Sequence, residues 1–169
     1  MHIIDNFLPP SLFNDIETLL MGESIDWRYV AGATLVEGKP ADEFYFVHTV
    51  LSSTQSSPLF NDIKPLLYFM DDRLKFHIDN LVRINCTMCT NQGKAIPQAM
   101  HTDFPFPHYT GIFYVNTNNG PTIVEDTKVD SVANRFVLFD GAMNHAASLQ
   151  DDTRTRVNIV FNMQGHFRD

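Results

Sequence analysis

The chain has 169 residues, with 12 Lys+Arg against 20 Asp+Glu and a formal net charge of −8. That length suits one domain, 1–169, with its own core, and the acidic surplus argues against nonspecific binding to a nucleic-acid backbone, though not against a nucleobase substrate. No apolar run approaches membrane-spanning length, and Met1-His2-Ile3-Ile4-Asp5 puts no basic region ahead of a long apolar stretch, so no secretory leader is expected.

In chain order, Pro9-Pro10-Ser11 precedes Leu12, Phe13, Ile16, Leu19 and Leu20, which recur at helical spacing up to a stop at Gly22. Glu43 to Leu51 is aromatic and β-branched, hence strand-like. Ser57-Pro58 can start a second helix reaching about Phe69, with Pro65 placed to kink or divide it. From residue 80 the period changes to two. Leu81–Cys89, Tyr109–Asn116, Thr122–Asp126, Asn134–Asp140 and Arg156–Met163 read as strands. Thr117-Asn118-Asn119-Gly120 has the composition of a hairpin turn, because Asn and Gly accept positive φ.

Helices first and strands afterwards imply an α+β chain, with a helical and strand cover over 1–79 and a β core over 80–163. In the last strand Arg156, Asn158, Val160 and Asn162 share one side, while Val157, Ile159, Phe161 and Met163 share the other. In the first, Arg83, Asn85 and Thr87 oppose Val82, Ile84, Cys86 and Met88. One oily face under helices and one polar face lining a cavity is the organisation of a double-stranded β-helix, or jelly-roll, with the N-terminal helices on the outer face of its major sheet. Leu12, Ile16, Leu19 and Leu20 are therefore expected to pack on Val82, Ile84, Val157, Ile159 and Phe161. Cys86 and Cys89, three apart on a strand, face opposite sides and share neither a metal nor a disulfide easily; reduced thiols in an intracellular, cytoplasmic protein are the expectation.

His101 and Asp103 stand two apart and point the same way on extended backbone. His145 follows about forty residues later, after Gly141, and Arg156 opens the last strand. Each feature alone has an ordinary structural explanation: a solvated loop for His101-Thr102-Asp103, a turn cap for His145. Together, two imidazoles and one carboxylate on one face of an iron leave three coordination positions, as an Fe(II) oxygenase needs for a chelating co-substrate and O2. A buried arginine supplies the far-end partner of an anionic co-substrate such as 2-oxoglutarate. Arg154 competes with Arg156; it adjoins Asp151-Asp152, whereas Arg156 begins the apolar run, where a desolvated arginine needs an anion.

With these residues in view, the chain resembles the iron- and 2-oxoglutarate-dependent oxygenases of the prolyl-hydroxylase-like branch, and is most similar to small members from marine viruses and metagenomes. The likeness is carried by Leu81–Asn85, His101–Phe104, Ile112–Gly120, Val132–Asp140 and His145 through Asn162, with a weaker match at Ile3–Leu20. It implies that His101, Asp103 and His145 ligate iron and act in catalysis. It implies that Tyr114 and Arg156 grip the distal carboxylate of 2-oxoglutarate, with Asn85 and Thr87 as further contacts. Tyr114 reads either as a cavity-facing tyrosine or as a half-buried sheet aromatic, and His108 either as a substrate contact or as a surface histidine. The segment Thr87–Met100 does not align.

The resemblance implies hydroxylation of a peptidyl residue, an amino acid or another small molecule, with 2-oxoglutarate and O2 consumed and succinate and CO2 released. Two other readings stand beside it: a non-catalytic jelly-roll, either a binding module or a virion-associated one, that retains a metal site, and a cupin-like metalloenzyme without an oxoacid co-substrate.

Overall fold

The computed structural model describes residues 1–31, 35–36, 39–40, 44–93 and 98–168. The elements run β1 (His2–Ile4), α1 (Pro10–Met21), β2 (Arg28–Ala31), β3 (Leu35–Val36), β4 (Lys39–Pro40), β5 (Phe44–Leu51), α2 (Phe60–Ile63), α3 (Pro65–Leu74) and β6 (Phe76–Thr90). They continue through β7 (Tyr109–Tyr114), β8 (Asn118–Val124), β9 (Thr127–Ser131), β10 (Arg135–Asp140), β11 (His145–Ala147) and β12 (Thr155–Phe167). Glu43, the expected first residue of β5, lies outside the described residues.

A seven-stranded antiparallel sheet has the order β1-β10-β7-β12-β6-β5-β2, and a three-stranded sheet has the order β11-β8-β9. This is the jelly-roll arrangement, with the helices on one face of the larger sheet. Within 1–79, β1, β2 and β5 extend the same sheet, and β6 begins at Phe76.

Pro10 opens α1, where its missing N–H costs nothing, and Pro65 does the same for α3, which divides the second helical stretch in two. Ile16 and Leu20 of α1 are buried and Leu12 and Leu19 pack beside them, against Ile84, Val157, Ile159 and Phe161. Burying each such side chain stabilises by about 1.5–3 kcal/mol. Asn134 ties the N-terminal segment down. Its side chain accepts from Leu8 N at 2.8 Å and donates to Leu8 O at 2.9 Å, from a left-handed φ of 60° that Asn tolerates better than most residues.

Two expectations from the sequence fail. Val82 is not under the helices. The register of β6 on β12 steps from Arg83↔Asn162 to Leu81↔Met163, so Val82 is the extra residue of a β-bulge. The bulge flips the parity: Leu81 joins the core, and Val82 borders a surface groove with Ser53, Asn80 and Phe106. Nor do Thr117–Gly120 form a hairpin turn. Asn118–Gly120 begin β8, which crosses to the smaller sheet, and the hairpin comes later, between β8 and β9, with Glu125 at a φ of 50°. Gly120 is required by close approach. A Cβ there would lie 2.6 Å from Ser148 O and 3.1 Å from Arg156 Cδ.

Between the sheets, Ile112, Tyr114, Val124, Val129, Val137 and Phe139 form a second core. Beside it the larger sheet leaves a cavity of about 530 Å³. Its wall takes Asn85, Thr87 and Cys89 from β6 and Arg156, Asn158 and Val160 from β12. Their neighbours in sequence, Ile84, Cys86, Val157 and Ile159, lie on the opposite, helix-covered face.

Candidate metal centre

His101 and His145 are joined by a two-bond antiparallel bridge: His101 N to His145 O at 3.0 Å and His145 N to His101 O at 2.9 Å. The bridge sets the two rings 4.7 Å apart. Asp103, two residues on from His101, brings its carboxylate alongside. One donor atom from each of the three side chains lies within 4.8 Å of the others, the only such grouping of His, Cys, Asp and Glu among the described residues.

The local bonds select the donor atoms. His101 Nδ1 donates to Ala99 O and His145 Nδ1 to Met143 O, each at 3.1 Å, because a carbonyl can only accept. That tautomer leaves Nε2 of each ring as the atom free to ligate. His145 Nε2 stands 3.5 Å from Asp103 Oδ2. With the ring neutral, these two lone-pair atoms suit a shared cation; with it protonated, Nε2–H donates to Oδ2 instead. Burial opposes charge on Asp103, but His145, the Arg83 guanidinium and the Asn162 amide outweigh it and hold the carboxyl well below the usual carboxylate range. The donor set is N, N, O, open on the cavity side, and fits a divalent transition metal with free coordination positions.

At another part of the wall Arg156 is only 3% exposed. Its Nε donates to Gly120 O at 2.8 Å and Ser131 Oγ at 3.3 Å, and its Nη2 to Thr122 Oγ1 at 3.0 Å. Asn158, with its carboxamide oxygen turned to the guanidinium, accepts from Nη1 at 2.5 Å. All of these acceptors are neutral, and Arg156 has no carboxylate partner among the described residues. A buried, unpaired cation on a cavity wall is costly unless an anion joins it. Arg154 is exposed, outside β12, and Asp151 and Asp152 bond Asn119 instead of it.

The remaining residues singled out in the sequence fall in different places. Asn85 and Thr87 line the cavity, and Asn85 Oδ1 is a buried acceptor with no partner. Tyr114 is fully buried beneath the wall rather than on it. Its hydroxyl donates to Thr122 Oγ1 at 2.8 Å, its ring lies 5.9 Å from the Arg156 guanidinium carbon, and burial raises its pKa. His108 neither reaches the cavity wall nor sits at the surface. It is 4% exposed and donates from Nδ1 to Phe106 O at 2.8 Å, and its ring packs on Gly141, where a Cβ would come within 2.2 Å of Nε2.

Thr122 and Arg83 were not singled out in the sequence. Thr122 Oγ1 accepts from both Arg156 and Tyr114, which uses both lone pairs and leaves its one hydrogen to donate, and it lines the cavity. A lone Thr on a strand carries no sequence signal for this. Arg83 donates to Asp103 Oδ1 at 2.6 Å. Its signal was its place on the polar face of the first core strand, beside Asn85 and Thr87.

No family model matches the sequence, and no curated protein matches it. Solved structures do resemble it. A 2OG-Fe(II) oxygenase family oxidoreductase from Burkholderia pseudomallei superposes with a TM-score of 0.73 at 11% identity, over 98% of this chain and 85% of that one. A prolyl hydroxylase from Trichoplax adhaerens, in complex with a hypoxia inducible factor peptide fragment, gives 0.63 at 16% identity over 96% and 82%. A viral collagen prolyl hydroxylase from Paramecium Bursaria Chlorella virus-1, in complex with 2OG, gives 0.60 at 12% over 96% and 94%. The fold is that of the 2-oxoglutarate- and Fe(II)-dependent oxygenases. At these identities the likeness establishes the fold alone, and the chemistry rests on the residues of the cavity.

Proposed function

We propose that the chain is an Fe(II)- and 2-oxoglutarate-dependent dioxygenase that hydroxylates a peptidyl residue, an amino acid or another small molecule, releasing succinate and CO2. His101 Nε2, His145 Nε2 and Asp103 Oδ2 would hold the metal. When bound, iron with 2-oxoglutarate supplies the oxygen activation and C–H oxidation that no side chain of the cavity can perform.

The chain's own residues supply position and electrostatics. Arg156 and the Thr122 hydroxyl would take the distal carboxylate of the co-substrate. Tyr114 works through Thr122: by donating to Oγ1 it commits the Thr122 hydrogen to the cavity. Asn85 Oδ1 is an unmet acceptor for an N–H or O–H of co-substrate or substrate, and Thr87 is a further contact. Of the second core only Ile112 reaches the cavity lining, with Ala147 and Val160 as further apolar wall.

The observation that carries this reading is Arg156, a buried cation on a cavity wall with only neutral partners. A binding module that merely retains three metal ligands has no use for it, and neither has a metalloenzyme without an anionic co-substrate. The test is calorimetric titration of 2-oxoglutarate into protein loaded with Co2+ in place of Fe(II). Binding that requires the metal and is lost in Arg156→Ala supports the reading, whereas no binding, or binding indifferent to Arg156, rejects it. Metal-loaded protein with 2-oxoglutarate can then be screened against peptides, amino acids and nucleobases for the substrate.

A further inference from the structure

We propose that Arg83 is a positioning residue that keeps Asp103 a one-oxygen metal ligand, so that a coordination position stays open for O2. The inference rests on the metal reading above and adds to it a role for a residue that touches neither of the imidazole ligands.

The Asp103 carboxylate is held from both ends. Arg83 Nη2 donates to Oδ1 at 2.6 Å, and Asn162 Nδ2 donates to Oδ2 at 2.8 Å. The two holders are themselves bonded, Arg83 Nε to Asn162 Oδ1 at 3.0 Å, and they are direct cross-strand partners on β6 and β12. The Val82 bulge immediately precedes Arg83 in the ladder, so Arg83 is the first residue of β6 after the parity changes. The guanidinium is fixed on its other side by Phe104, whose ring centre lies 4.7 Å from Cζ. Arg83 is thus clamped between the metal-ligand loop and the two central strands.

The two carboxylate oxygens differ in the charge of their partners: Oδ1 bears the guanidinium, whereas Oδ2 accepts from the neutral Asn162 amide and, at 3.5 Å, the Thr110 hydroxyl. Oδ2 faces His145 Nε2 at 3.5 Å, on the side where the imidazole lone pairs converge. Oδ1 carries a short, charge-assisted bond to a cation in a site where the Asp103 side chain is only 12% exposed. A dication that tried to chelate through both oxygens would have to displace that guanidinium or sit against its charge. Metal binding through Oδ2 alone costs neither. The consequence is one of counting. Three protein donors leave three positions of an octahedron, two for a chelating co-substrate and one for O2. A chelating Asp103 would fill a fourth and leave O2 none.

The experiment counts water on the metal. Mn2+ is loaded in place of iron without co-substrate, and the paramagnetic relaxivity of solvent protons reports the inner-sphere waters. The wild type should hold three. Arg83→Gln, which keeps hydrogen bonding but removes the cation, should lose about a third of that relaxivity as Asp103 becomes bidentate. Its Mn2+ affinity should rise. Arg83→Lys, which retains a cation within reach of Oδ1, should stay with the wild type. A role in folding alone would move none of these readouts while Mn2+ remains bound. Three waters in Arg83→Gln, or an equal loss in Arg83→Lys, overturns the inference and leaves the metal reading intact. Two waters in the wild type overturns it without recourse to any variant, so a misfolded mutant does not shelter it. No bound Mn2+ in the wild type overturns both.

Discussion

Arg156 and Thr122 share a 3.0 Å hydrogen bond in which the guanidinium Nη2 donates to a threonine hydroxyl already accepting from Tyr114. With both lone pairs used, the Thr122 hydroxyl becomes a donor beside a cation on the cavity wall. Arginine and threonine therefore stand together on the cavity wall, and the proposed function assigns them to the carboxylate of the co-substrate.

Arg156→Ala should weaken 2-oxoglutarate binding by about 10- to 150-fold, the equivalent of roughly 1.5–3 kcal/mol for a charge-assisted bond, and leave metal affinity unchanged. Titration of the two ligands separately checks this. Arg154→Ala is the control, because Arg154 is exposed; a larger loss there would mean that the co-substrate is held elsewhere.

Thr122→Val should lower the same affinity by about 10-fold, roughly 1.5 kcal/mol for one hydroxyl bond to an ionised acceptor, while Thr122→Ser should retain it. Tyr114→Phe leaves the receptor in place but frees the Thr122 hydroxyl to turn away from the cavity, so its loss should be smaller than that of Thr122→Val. The order of the three titrations is the readout.

Gly141 and His108 are predicted to be coupled. Gly141→Ala drives a methyl to within 2.2 Å of the buried His108 ring and should destabilise by about 1–3 kcal/mol. Adding His108→Ala removes the obstacle, so denaturant melts of the double mutant should show less destabilisation than the sum of the singles.

The Asp5–Arg135 pair sets a small pH dependence. Arg135 donates to both Asp5 oxygens, at 2.6 and 3.0 Å, and these bonds hold the Asp5 carboxyl below its usual pKa against a lesser opposing effect of burial. A carboxylate with a depressed folded pKa contributes stability above its unfolded value, about 3.9, and loses it as pH falls through the folded one. The side chain is 54% exposed, so the contribution is under about 1 kcal/mol. Melting temperatures of Asp5→Asn and wild type should differ slightly at neutral pH and converge in acid below that window.

The alternation of β6 and β12 was legible because one face is covered by helices and the other lines the cavity. Each residue's parity then states its environment, and Arg156 opposite Val157 is readable from sequence. Parity reading fails where the ladder itself slips. Nothing in Leu81-Val82-Arg83 marks Val82 as a bulge, since the extra residue is set by the partner strand. Asn118 and Gly120 misled because their composition answers a different demand: Asn118 Oδ1 caps the Gly120 N–H at 3.0 Å, and Gly120 clears the path of Ser148 and Arg156. The short strands β1, β2, β9 and β11 carry too few residues for a period to appear. Thr122 and Arg83 escaped because their importance lies in hydrogen-bond partners brought together by the fold, 34 residues apart in one case and 20 in the other.

The central claim is that the cavity holds a redox metal and an oxoacid together. Succinate formed from 2-oxoglutarate under air, with Fe(II) and reductant present, tests it most directly, since even slow turnover without the true substrate yields product. The account predicts succinate from the wild type, none from Asp103→Ala, and recovery in Arg156→Ala only at raised 2-oxoglutarate. Metal-loaded, folded protein that forms no succinate at any 2-oxoglutarate concentration and with any tested peptide, amino acid or nucleobase would contradict it.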